Sequence, residues 1–176
     1  MAFWVFGYGS LLWNPGFEPV ETVRATLPGY HRSFCMLSIH HRGTEDDPGL
    51  VLALDEADSA CTGLALRVAN DEADGVLAYL RERELISSAY IEKNVTLQAD
   101  GGQEIDALVY VISRDHVQYC QFDLERQAQM IAHAVGGRGP NTEYLYNTAR
   151  LLKDLDIPDP DMDWLVTRVQ EIEQTA

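Results

Sequence analysis

The chain has 176 residues, 46% hydrophobic and 23% charged, which supports one domain with a real apolar core. Its 28 acidic and 13 basic side chains give a formal net charge of −15 at pH 7, with no offsetting basic cluster, which excludes nucleic acids and anionic membranes as partners. No apolar run approaches bilayer-spanning length, the opening MAFWVFGYGSLLW lacks the marks of a signal peptide, and three cysteines without a CxxC spacing (Cys35, Cys61, Cys120) suit buried thiols in a reduced cytoplasmic protein.

No repeat, linker or low-complexity segment interrupts the chain. Phe3–Phe6 predicts a compact apolar strand, followed by a Gly/Pro-rich turn region over Gly7–Phe17. Glu21–Leu27 alternates polar and apolar residues as a half-buried strand does, and His31–Ile39 reads as a second strand. After a polar loop at His40–Gly49, Leu50–Leu54 and Cys61–Val68 predict strands around a turn at Asp55–Ala60. Glu72–Glu84 reads as a helix, and Tyr90–Gln98 with Ile105–Ser113 as a hairpin across Asp100–Gly102. The last third is helical: Asp123–Val135 capped by Asp123, then Thr142–Leu155 capped by Asn141 after the stop at Gly136–Pro140. A final amphipathic helix, Asp161–Gln174, follows the break at Asp156–Pro160 and turns Trp164, Leu165, Val169 and Ile172 inward. Many short strands, one inserted helix and terminal helices predict an α+β fold. The expected form is a mixed sheet or partly closed barrel with a helical C-terminal third, as a single domain over residues 1–176.

The helix ending at Glu84 carries the first chemical signal. At about 100° per residue, Val76, Leu77 and Leu80 form one apolar stripe, and Glu84 falls inside it one turn later. Glu82 falls on the opposite side. A carboxylate aimed at the interior is costly unless paired or protonated, and the negative end of the helix dipole adds to that cost. Both effects raise the proton affinity, as a general base or acid requires. The bland reading is that the helix frays before Glu84 and the side chain reaches water.

The segment after the first strand, Gly7, Tyr8, Gly9, Ser10, Leu11 and Leu12, carries the second signal. Two glycines bracketing Tyr8 let consecutive backbone N–H groups converge on an anion or oxyanion, and let a ligand approach the main chain; the bland reading is a simple turn. A dinucleotide fingerprint is excluded because the third glycine is missing and Asn14-Pro15-Gly16 precludes a helix there. A P-loop lacks its Gly-Lys-Ser/Thr, and Ser10 lacks the flanking glycines of a hydrolase elbow. The histidines show no HxH or HxxxH spacing, so no metal is expected. Arg42, in the loop His40-His41-Arg42-Gly43, is either a solvated arginine or a fork for a carboxylate. The stretch Gly136–Tyr144 reads as helix termination and capping, with an Arg138 or Tyr144 contact to a ligand as the functional alternative.

Taken together, several segments carry a wider likeness: Val5–Leu11, Gly29–Phe34, His41–Thr44, Pro48–Val51, Tyr79-Leu80 with Arg83-Glu84, and Gly139–Leu145. In this order and spacing the chain resembles the ChaC family of γ-glutamylcyclotransferases. The resemblance implies a small β-barrel flanked by helices, and a loop at Gly7–Leu12 that holds a γ-glutamyl group. It also implies one catalytic carboxylate, aligned with Glu84, and conversion of glutathione to 5-oxoproline and cysteinylglycine. The implied chemistry needs no cofactor, because the substrate's α-amine attacks its own γ-carbonyl. Leu85–Tyr90 lacks the glycine pair that some family members carry before the tyrosine. Two other functions remain open at this point: cyclisation of other γ-glutamyl amines or dipeptides, and non-catalytic ligand binding on the same fold. Oligomeric state is not readable from the sequence.

Overall fold

A computed structural model describes residues 3–85 and 89–175. The strands are β1 (Phe3–Gly7), β2 (Glu21–Ser38), β3 (Gly49–Val68), β4 (Tyr90–Ala99) and β5 (Glu104–Ile112). They close into a barrel in the order β1-β3-β2-β4-β5, sealed by a parallel bridge between Val5 of β1 and Leu108 of β5. The pairings β1–β3, β2–β4 and β4–β5 are antiparallel. Helix α1 (Ser10–Trp13) follows β1, and α2 (Ala73–Glu84) lies between β3 and β4 behind a 3-10 turn at Asn70–Glu72. The final third holds α3 (Leu124–His133), a short ribbon of β6 (Val135–Gly136) and β7 (Gly139–Pro140), then α4 (Asn141–Asp154) and α5 (Pro160–Thr175). The α+β expectation holds, and the barrel is closed rather than partly open.

The chain forms two compact units. One takes residues up to Ser33 and then Ala53–Val117; the other takes Phe34–Leu52 and the chain from Gln118 onward. In the first unit, alternation along β1 and β5 sorts side chains into two apolar clusters. Phe6, Tyr8, Ala107, Val109 and Val111 join Leu27, Leu54 and Leu97 on one face. Val5, Leu108 and Tyr110 join Val68 on the other, where Val76 and Leu80 of α2 pack against them. Each such aliphatic side chain, once fully buried, contributes about 1.5–3 kcal/mol, and this burial fixes α2 to its sheet.

Two expected breaks do not occur. β2 runs unbroken through Pro28-Gly29, because Gly29 takes a positive φ of 88° that lets the strand bend without ending. β3 likewise continues through Asp55–Ala60. No glycine or proline in that stretch supplies a turn. The Asp55 carboxylate is held by Arg114 Nε at 2.7 Å, and Arg114 Nη2 donates to the Glu56 carbonyl at 2.8 Å.

In the second unit, α3, α4 and α5 pack on one another. Asp123 caps α3 as expected, its Oδ1 accepting from the Arg126 amide at 2.8 Å. Asn141 does not cap α4. Its side chain is fully buried and pairs with the Leu50 backbone, accepting from the amide and donating to the carbonyl, both at 2.8 Å. An amide side chain mimics a neighbouring strand here, so long-range pairing outcompetes local capping. In α5 the inward stripe is Met162, Leu165, Val169 and Ile172, while Trp164 is 42% exposed. Trp164 lies one helical step off that stripe, so Met162 takes the place expected of it.

Asn141→Ala is expected to destabilise the protein by about 2–4 kcal/mol, because it leaves both buried polar groups of Leu50 without partners. Urea denaturation against wild type measures this.

Candidate active site

The site grows from the end of β1. Gly7 closes the strand, Gly9 precedes α1, and the Leu12 amide turns back to the Gly9 carbonyl at 2.9 Å. Tyr8, Leu11 and Leu12 are all buried. The Tyr8 ring sits 6.4 Å from the Phe6 ring, and its hydroxyl donates to the Tyr110 carbonyl at 2.9 Å. The Tyr8 carbonyl in turn accepts from Arg32 Nε at 2.7 Å, and Arg32 also donates to the Thr62 carbonyl. The loop therefore turns its large side chains into the protein and presents its main chain and Ser10. The amides of Ser10 and Leu11, at the start of α1, have no acceptor within the helix. Gly63 makes room for this arrangement: a Cβ there would stand 3.0 Å from Phe6 Cζ and overlap the Gly7 carbonyl oxygen.

Glu84 is the last residue of α2, with its side chain 13% exposed. Its position agrees with the periodicity, since Val76 and Leu80 are buried, Leu77 is partly buried and Glu82 is exposed. The helix does not fray before it. Arg83 lies beside it, with Nε 3.4 Å from Glu84 Oε1. The same guanidinium donates from Nη2 to Ser10 Oγ at 3.0 Å, and from Nη1 to the Asn14 carbonyl at 2.6 Å and the Tyr79 hydroxyl at 3.3 Å. Tyr79 lies against Gly16, whose positive φ of 80° and missing Cβ accept the ring. Thus the structure brings Glu84 and the glycine loop together in one unit.

A second polar group stands on the same face of the sheet. Arg81 binds Glu92 through two contacts of 2.9 and 3.0 Å, and the Tyr110 hydroxyl donates to Glu92 Oε1 at 2.9 Å. The Arg81 hydrogen bond holds the Glu92 carboxyl below its ordinary range, with burial opposing. Burial holds the Tyr110 phenol protonated well above its ordinary range, and the charges of Glu92 and Glu84 reinforce this.

Arg42 and Tyr144 belong to the second unit and meet there. Arg42 Nη1 donates to the Pro140 carbonyl at 3.0 Å and to Glu143 Oε1 at 3.2 Å, and the guanidinium sits 5.8 Å from the Tyr144 ring centroid. The Tyr144 hydroxyl accepts from the Leu52 amide at 3.1 Å. Arg42 is thus a buried tie to the start of α4 rather than a solvated loop arginine. Arg138 is exposed. No cluster of metal-ligating side chains occurs among the described residues. Ile86, Ser87 and Ser88, within the segment where the sequence departs from the family pattern, lie outside the described residues. The sequence reading missed the parts played by Arg32, Arg81 and Arg83. Only Arg83 left a local trace, as the i+4 partner of Tyr79 and the neighbour of Glu84.

Comparison with known proteins gives the family. The model of the ChaC-like protein family matches residues 3–172. The chain belongs to the ChaC-like family. An Escherichia coli K12 protein, glutathione-specific γ-glutamylcyclotransferase, is 36% identical over 96% of this chain and 73% of its own length. A Schizosaccharomyces pombe protein of the same name is 34% identical over 92% of this chain and 88% of its own length. Gamma-glutamylcyclotransferase 2-3 of Arabidopsis thaliana is 33% identical over 98% and 90%. The crystal structure of a yeast γ-glutamyl cyclotransferase specific to glutathione superposes with a TM-score of 0.89 at 22% identity, covering 99% of this chain and 98% of that one. The ChaC-like fold is therefore shared well beyond the level of sequence identity.

Gly63→Ala is expected to cost about 1–3 kcal/mol by overpacking the Gly7 backbone. Gly75→Ala on α2, where a Cβ meets open space, should gain about 0.5–1 kcal/mol. Thermal melts of the two variants should move in opposite directions. Burial pushes the Cys120 thiol up to about 11, with Arg126 pulling the other way. Its alkylation by iodoacetamide should be slow at neutral pH and rise about tenfold per pH unit toward that value, because only the thiolate reacts. Peptide mass spectrometry across a pH series measures the rate.

Proposed function

We propose that this chain is a γ-glutamylcyclotransferase acting on glutathione, with Glu84 as its proton shuttle and the Gly7–Leu12 loop as the cradle for the γ-glutamyl group. The observation that carries this reading is a largely buried carboxylate linked through Arg83 to the glycine loop at Ser10, in a chain whose curated relatives bear that activity in their names. A reduced cytoplasmic setting suits it, since the substrate is a thiol and Cys35, Cys61 and Cys120 are thiols rather than disulfides. No helix among the described residues is long and apolar enough to cross a membrane.

The substrate brings its own nucleophile. Glu84 takes a proton from the α-ammonium, and the freed amine attacks the γ-carbonyl carbon. A carbon–nitrogen bond closes the five-membered ring, and the carbonyl oxygen becomes an oxyanion. Backbone N–H groups from Tyr8 to Leu11 are the donors proposed for that charge. Glu84 then delivers its proton to the cysteinyl nitrogen and takes the second proton from the ring nitrogen. The old carbon–nitrogen bond breaks, and 5-oxoproline and cysteinylglycine leave, the cysteinylglycine amine carrying that second proton away as an ammonium. Atoms balance without water or a redox partner. The protein's largest contribution is to fold a flexible glutamyl chain back on itself, a proximity effect.

Glu84→Gln keeps the shape of the side chain and removes the base, so turnover of glutathione to 5-oxoproline should fall by about 10²–10⁴-fold. Glu82→Gln, on the opposite side of α2, should leave the rate unchanged. A Glu84→Gln enzyme working at the wild-type rate would refute the assignment. Product from γ-glutamyl-alanine at a rate equal to that from glutathione would shift the reading to a general γ-glutamyl cyclotransferase. No product from any γ-glutamyl compound would leave a binding module.

A further inference from the structure

We infer that Arg83 is a positioning residue for the reaction: one guanidinium ties the Glu84 carboxylate to the glycine loop through Ser10. The inference rests on the reading of Glu84 as the proton shuttle and adds the group that holds the shuttle in register with the cradle.

Adjacent residues on a helix do not normally face each other, since successive side chains diverge by about 100°. Arg83 and Glu84 meet because the helix ends there. The Arg83 side chain is only 13% exposed, and each of its three guanidinium nitrogens has a partner: Nε at Glu84, Nη2 at Ser10, and Nη1 at Asn14 and Tyr79. Two of these partners, Ser10 and Asn14, bracket α1, which grows out of the loop. A planar fork with fixed donor directions sets the distance between whatever it binds at its two ends. Here one end is the carboxylate that moves protons, and the other is the segment assigned to the γ-glutamyl group.

Charge points the same way. Glu84 stands at the negative end of the α2 dipole and is largely buried, two conditions that penalise its charged form. Arg83 supplies the counter-charge at 3.4 Å. The guanidinium cannot itself exchange protons at working pH, so it orients the shuttle without competing with it. An arginine serving only to glue α1 to α2 would need the Ser10 and Asn14 contacts but not the one to Glu84.

The test is steady-state turnover of glutathione by purified Arg83→Gln, Arg83→Lys and Ser10→Ala, together with Glu84→Gln and the Glu84→Gln/Arg83→Gln pair. Arg83→Gln should lower kcat by about 10²-fold, the scale of an ångström-level misplacement, while KM moves little. Arg83→Lys should recover part of that loss, because an ammonium keeps the charge and cannot span all four partners. Ser10→Ala should show a smaller fall in kcat in the same direction. In the Glu84→Gln background, adding Arg83→Gln should cost less than about twofold, since a positioning residue has nothing left to position. Three outcomes overturn the inference while leaving Glu84 intact: an Arg83→Gln kcat near wild type, a loss confined to KM, or an undiminished loss in the Glu84→Gln background. A fully active Glu84→Gln overturns the inference and the shuttle together. If circular dichroism shows Arg83→Gln unfolded, Arg83→Lys decides: reduced kcat at unchanged KM supports the inference, and wild-type kinetics refute it.

Discussion

The parallel bridge between Val5 and Leu108 closes the barrel, and the candidate site inherits its frame from that closure. β1 ends two residues later, so the position of Gly7 and everything up to Leu12 is set by where β1 docks. β5 turns Leu108 and Tyr110 to the opposite face, where they receive Val76 and Leu80 of α2. The loop and the helix that ends in Glu84 are thus referred to the same two strands. Tyr8 reinforces the link by donating its hydroxyl to the Tyr110 carbonyl, and Arg32 locks the Tyr8 carbonyl from the other side. A barrel without edges suits this purpose, because a strand with neighbours on both sides cannot slip in register without displacing every side chain it carries.

Electrostatics are organised locally against a strongly negative whole. The net charge of −15 disfavours anionic ligands at long range, and glutathione is one. Arg81 is spent on Glu92, and Arg32 on two backbone carbonyls. Arg83 is the guanidinium whose contacts include both loop and carboxylate. The depressed Glu92 carboxyl stabilises the fold above the ordinary carboxylate range, and that contribution is lost as pH falls through its folded value.

What the sequence made legible is what local periodicity and local chemistry encode. Glu84 was readable because one helical stripe ran Val76, Leu80, Glu84, and the glycine loop because two glycines follow an apolar strand. Asp123 capped its helix as its position promised. The misreadings share one cause. Asn141 has the chemistry of a cap, but Leu50, distant in sequence, offers two hydrogen bonds instead of one. Asp55–Ala60 has the polarity of a turn, and Arg114 holds it extended. Arg32 and Arg83 look like any charged residue on a strand or helix until their partners are known. Long-range pairing overrides local preference, and a single sequence does not name the pair.

The division of labour in the loop follows from the reaction. An enzyme that attacks its substrate must expose a nucleophilic side chain, and the surrounding chain is shaped to present it. A cyclotransferase needs no such group, because the attacking amine belongs to the substrate. Its cradle has to supply shape and hydrogen-bond donors, which the main chain provides with the least freedom to move. That is why Tyr8, Leu11 and Leu12 can all be turned inward and used as ballast. Side-chain chemistry is needed only where protons travel. In the proposed assignment that place is Glu84, braced by the residue next to it.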